Sequence, residues 1–169
     1  MNILNHLFSL IVSFYSLSIT DVDNNTISLN SYQGKKILLV NIATGSSRVG
    51  QLGTLQQLQQ TFGDSLVVIA FPSNSFGHES RSDSAIKQFC ISNYGTTYKI
   101  IKTDAVAGTI VQPVYYWLKQ IEQNGAMYGA VGGDFQKFLI NESGQLIGTF
   151  APAIDPMDPI IRNAITTHN

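Results

Sequence analysis

The sequence predicts a three-layer α/β sandwich: a central mixed sheet flanked by helices, with a β-hairpin on its N-terminal side. Three observations carry this. The runs "KKILLVNIA" and "SLVVIAFPSN" are continuously apolar, as strands covered on both faces are. Each leads into a segment of helical period. "DFQKFLINESGQLIGTFA" then alternates around a turn before a final helical stretch. Alternating strands and helices closed by a hairpin and a helix bury their apolar faces as helix, sheet and helix layers.

Taken in order, "FYSLSITDVDNNTISLNSYQG" alternates on either side of the turn-rich "DVDNNT" and predicts a hairpin leading to a short helix. "KKILLVNIA" is the first buried strand. "QLGTLQQLQQTFG" spaces Leu52, Leu55, Leu58 and Phe62 along one helical face and stops near Gly63. "SLVVIAFPSN" is a second buried strand, ended by Pro72. "SDSAIKQFCISNYG" reads as a helix with Ser82 or Asp83 at its N-cap and Gly95 at its end. "PVYYWLKQIEQNG" reads as one helix opened by Pro113 in the favoured first turn. The hairpin turns at "NESG", and the last helix starts near Asp158 or Pro159. Right-handed crossovers place the start of the first helix at the carboxyl end of its strand, where open α/β folds take ligands. "TGSS", Thr44 to Ser47, lies there.

The 169 residues suffice for one domain with a core independent of disulfides or metals. With 12 % charged residues and a net charge of −1, no electrostatic footprint for nucleic acid is present. Cys90 is the only cysteine, which excludes an intrachain disulfide and a thiolate zinc site. His6, His78 and His168 share no metal-ligand spacing and read as loop or tail residues, so neither a metal nor a cofactor is expected. The apolar N-terminus "MNILNHLFSLIVSFYSL" lacks a basic n-region and a cleavage site, and its apolar run is too short to span a bilayer. A cytoplasmic protein is the expectation, with export left open by that segment. Asn24 and Asn141 head glycosylation sequons, a pattern common by chance.

From about Phe14 onward the chain resembles the glutathione peroxidases, a family with the thioredoxin fold. The matching segments are "FYSLSITDVDNNTISLNSYQGKKILLVNIAT", "LVVIAFPSNSFG", "IKQFCISNYGTTYKII", "QPVYYWLKQI" and "FQKFLINESGQLIGTFAP", in the family's order. The resemblance divides the chain into an N-terminal extension, 1–13, and a domain, 14–169. It also implies a reacting centre of four groups. A cysteine or selenocysteine attacks the peroxide, and a glutamine, a tryptophan and an asparagine polarise it. On this sequence the four positions are Ser46, Ser75, Gly133 and Asp134. The glycine after the nucleophile is Ser47, the proline before the helix is Gly50, and the proline of a loop bordering the site is Lys99.

A thiolate attacks an O–O bond and cycles through oxidised states; a serine hydroxyl has no such states. Gly133 removes a wall and an N–H donor. Asp134 puts a negative charge where the family has a neutral amide, a change that raises the pKa of any nearby thiol. The resemblance therefore implies a peroxidase homologue with little or no activity, a binding or regulatory module taking a small molecule or protein in the cleft around Ser46, Ser75 and Asp134. The alternative is an ordinary hydroperoxide-reducing enzyme in which Ser46 is an engineered replacement.

Three side readings remain. Ser46, His78 and Asp134 would make a hydrolytic cluster if they met, although "GSS" lacks the nucleophile-elbow pattern; the plainer role of Ser46 or Ser47 is to cap the first helix. Cys90 falls at or beside the resolving cysteine of thioredoxin-dependent relatives, as a redox thiol without a partner or as a small apolar core residue. Tyr115, Tyr116 and Trp117 cannot all face inward on a helix, so at least one is exposed, either incidentally or on an oligomer or partner surface.

Overall fold

The computed structural model describes residues 12–126 and 131–167; His6, His168 and the extension up to residue 11 lie outside the described residues. Strands β1 (Ser18–Thr20) and β2 (Thr26–Ser28) pair antiparallel. Asp21 organises their turn, its Oδ1 accepting the amides of Asp23 and Asn25 at 2.9 Å each. A short 3-10 helix, Leu29–Tyr32, follows as expected.

β3 (Lys36–Ile42) is buried at every residue. Because side chains alternate along a strand, Leu38, Val40 and Ile42 enter one core with Leu52, Leu55 and Leu58 of α1 (Gln51–Phe62). Ile37 and Leu39 enter the opposite core with Tyr115 and Leu118 of α3 (Pro113–Lys119). Two apolar layers require apolar residues on both strand faces, which explains the unbroken run. β4 (Leu66–Pro72) lies parallel to β3 on one side, and β6 (Lys137–Ile140) lies antiparallel on the other. With β5 (Lys99–Ile100) and β7 (Leu146–Phe150) at the edges, the mixed sheet runs β5-β4-β3-β6-β7. α2 (Asp83–Tyr94) and α5 (Pro159–Thr166) cover the same face as α1 through Ile86, Cys90, Ile161 and Ile165.

The predicted caps form. Ser82 Oγ accepts the Ala85 amide at 3.4 Å, Gly95 closes α2 at φ +62°, and Asp158 Oδ1 accepts the Ile160 amide at 2.9 Å. In the "NESG" turn, Asn141 Oδ1 accepts the amides of Ser143 and Gln145, and its Nδ2 donates to Gln145 Oε1. That sequon asparagine is buried and committed to the turn, whereas Asn24 stands exposed in the first hairpin. Gly144 is required where it is: at φ +82°, a Cβ there would lie 2.8 Å from the ring of Tyr15.

Three expectations are corrected. "PVYYWLKQIEQNG" is two helices, α3 and α4 (Ile121–Asn124), broken at the extended Gln120. Asn124 Nδ2 donates to the carbonyls of Trp117 and Leu118 at 3.0 and 3.2 Å, satisfying acceptors that a further helical turn would have used. β5 was not anticipated, since two residues carry no readable period; Lys99 is on this strand opposite Ile69 and not in a loop. α1 begins at Gln51 behind Gly50, so neither Ser46 nor Ser47 caps it. Of the adjacent aromatics, Tyr115 and Trp117 are buried and Tyr116 is 51 % exposed. Trp117 Nε1 donates to the Val12 carbonyl at 2.7 Å, anchoring the start of the described chain. Among the described residues no helix is long and apolar enough to cross a membrane.

The core also contains a lysine. Lys137 is fully buried; its Nζ donates to Gln51 Oε1 and the Ile154 carbonyl, each at 2.5 Å, and to the Pro152 carbonyl at 3.2 Å. It joins the first turn of α1, β6 and the 152–154 segment. Burial pulls its pKa down to about 8, against the stabilising charge of Asp155. Replacing it with Met leaves three acceptors without this donor, and Lys137→Met is expected to lose about 1–3 kcal/mol at pH 7 in urea unfolding. The folded chain sheds the lysine proton near 8 and the unfolded chain near 10.5, so this group's contribution grows more favourable as pH rises between them. The stability gap between wild type and Lys137→Met should therefore widen from pH 7 to pH 9; a constant gap would contradict the assignment.

Candidate functional site at the carboxyl end of β3

β3 ends in Asn41 and Ile42, and the chain turns through Thr44–Gly50 before α1 begins. Polar contacts from distant segments fix this turn. Thr44 donates its amide to Glu79 Oε2 at 2.7 Å and its hydroxyl to Glu79 Oε1 at 2.9 Å. Arg81 Nη1 reaches Thr44 Oγ1 at 2.5 Å while its guanidinium covers the Phe89 ring. Gly45 donates its amide to the His78 carbonyl at 3.0 Å, and a Cβ on Gly45 would meet that oxygen at 2.6 Å. Only glycine permits this approach. Ser46 is buried; its Oγ accepts the Arg48 amide at 3.3 Å.

Opposite the turn, Asn41 brackets the Gly133–Phe135 segment. Its Nδ2 donates to the Gly133 carbonyl at 2.9 Å, and its own carbonyl accepts the Phe135 amide at 2.6 Å. Phe135 is held at φ +68°, a left-handed conformation costly for a bulky residue and here stabilised by complete burial. The bracketed Asp134 reaches across the end of β3, its Oδ2 2.6 Å from Nδ1 of His78. Its side chain is 2 % exposed and that of His78 is 53 % exposed. Among the described residues, Asp134 Oδ1 and Asn41 Oδ1 are buried without hydrogen-bond partners. Asp134 is thus half of an Asp–His pair, which joins two of the three members of the cluster that the sequence raises.

The other predicted residues are placed differently. Ser75 Oγ is 2.9 Å from Ser73 Oγ and accepts the amides of Val106 and Ala107 at 3.0 and 3.2 Å. It therefore holds the 105–107 loop and has no hydrogen bond to Ser46. It borders an open hollow of about 420 Å³ with Asn74, Thr103 and Asp104. Gly133 leaves ordinary room for a Cβ, 3.5 Å from Pro152 Cγ. Cys90 is fully buried in the α1/α2 core, and burial, with the Glu79 charge adding, pushes its thiol up to about 12. Sequence reasoning missed Asn41, Glu79 and Lys137. Glu79 pairs with Thr44 across 35 positions, a spacing no local pattern encodes. Asn41 is the one polar residue among the odd-numbered strand positions, a signal that was available.

Comparison with known proteins agrees with this architecture. A sequence profile described as glutathione peroxidase matches residues 14–119. A glutathione peroxidase of Lactococcus lactis subsp. cremoris is 34 % identical over 147 residues, covering 86 % of this chain and 93 % of the relative. Among solved structures, the apo form of Trgpx superposes with a TM-score of 0.70 at 28 % identity, covering 92 % of this chain and 97 % of the other. A thioredoxin family thiol:disulfide interchange protein from Chlorobium tepidum shares the fold, with a TM-score of 0.63 at 20 % identity over 91 % of this chain and 96 % of that one. The profile match and the identity to a full-length relative show that this chain belongs to the glutathione peroxidase family.

Proposed function

We propose that this family member does not reduce hydroperoxides through a residue of its own and serves as a binding or regulatory module on the peroxidase scaffold. One observation carries the reading. The only thiol in the chain is Cys90, fully buried and pushed up to about 12, while the strand-to-helix turn offers the hydroxyl of Ser46. Peroxide reduction requires a reachable thiolate or selenolate that can be oxidised and restored. Cys90 is neither reachable nor ionised near neutral pH, and Ser46 has no redox states.

The neighbourhood supports the same reading. Gly133 and Ser75 offer no side-chain donor toward the turn, and each lost donor at such a site costs about 10²–10³ in rate. Peroxide consumption with glutathione or thioredoxin as reductant is expected to match a Ser46→Ala control. Turnover above that control would overturn the proposal. Ser46→Cys is expected to remain about a hundredfold or more below an active family member; full restoration would mean that the remaining groups suffice for the chemistry. Cys90 is expected to resist a thiol-specific chromogenic reagent in the folded protein and to react stoichiometrically once unfolded. Rapid labelling of the native chain would contradict its core assignment.

A further inference from the structure

The His78–Asp134 pair has no part in the reading above, yet it is a proton-transfer arrangement. Asp134 Oδ2 lies 2.6 Å from His78 Nδ1. In a neutral imidazole, a carboxylate at Nδ1 favours the tautomer that donates from that nitrogen and has Nε2 as acceptor; the His78 side chain is 53 % exposed. The backbone of His78 is pinned directly beneath the turn by the Gly45 amide, one residue before Ser46. Ser46 Oγ accepts only the Arg48 amide, and among the described residues its own proton goes to no acceptor. A hydroxyl with an uncommitted proton and a carboxylate-backed imidazole are therefore carried by adjoining loops at the end of β3, joined where the Gly45 amide meets the His78 carbonyl.

We propose that Ser46, His78 and Asp134 form an acyl-transfer site, with Ser46 as nucleophile, His78 as general base and Asp134 as the residue that positions His78. The substrate class is an activated carboxylic ester. In the forward step the Ser46 Oγ–carbon bond forms, His78 Nε2 takes the hydroxyl proton, and the ester C–O bond breaks as the alcohol leaves with that proton. Water then attacks the acyl-Ser46, delivers its proton through His78 and releases the acid. Ser46 Oγ and His78 are not hydrogen-bonded to each other; nucleophile–base contacts of this kind commonly tighten only when substrate binds. The site is independent of peroxide chemistry, so a failure of either proposal leaves the other measurable.

The test uses the full chain, a fluorophosphonate probe and p-nitrophenyl butyrate. Attack on the probe forms an Oγ–phosphorus bond and expels fluoride, and peptide mass mapping is expected to find one adduct per chain, on Ser46. Ser46→Ala should abolish both the adduct and ester turnover. His78→Gln should slow both by about 10²–10⁴-fold. Asp134→Asn should lower kcat at unchanged KM, a split that simple loosening of the fold would not produce, with thermal melts showing each variant folded. An adduct elsewhere, labelling unchanged in His78→Gln, or ester turnover undiminished in Ser46→Ala would overturn the proposal.

Discussion

Burial of β3 on both faces is the constraint from which the rest of the molecule follows. A strand enclosed this way must pair its backbone on both sides, and β4 and β6 do so. It must also present apolar side chains alternately to two layers, which fixes α1, α2 and α5 on one face and α3 on the other. Polar chemistry is then confined to the strand's ends, where neighbouring loops meet. Lys36 answers this at the amino end by donating to Glu142 and to the Thr167 carbonyl. Asn41 answers it at the carboxyl end by bracketing the segment that carries Asp134.

The loops at that end are connected by a few buried polar groups. Glu79 accepts from both donors of Thr44 and ties the loop after β4 to the turn after β3. The His78–Asp134 pair adds the segment before β6. Lys137 links that strand to the first turn of α1. Removing one member of such a network leaves its partners unpaired in a poorly solvated place, which is why these contacts hold the turn more firmly than their number suggests. Ser46 thus occupies an ordered setting, next to the loop that carries the His78–Asp134 pair.

This setting differs from a thiol site in kind. A redox residue needs an accessible sulfur, and the chain's one sulfhydryl lies in the apolar layer beside Leu55 and Leu58. A proton-transfer pair needs only a fixed nitrogen and a buried acid, both of which stand at the rim.

Periodicity and turn chemistry by themselves determined the three-layer architecture, both hairpins, the caps of α2 and α5, and the position of "TGSS" at a strand's carboxyl end, because each is encoded within a short window. Family motifs added the four positions at 46, 75, 133 and 134. Only the tertiary structure decided that α3 stops at Lys119, since the stop depends on a side chain folding back from Asn124. It alone turned Ser75 toward the 105–107 loop, buried Cys90, and joined His78 to Asp134 across 56 positions. Those outcomes rest on distances between segments remote in sequence, which appear only when β3 is enclosed and its neighbours are brought into register.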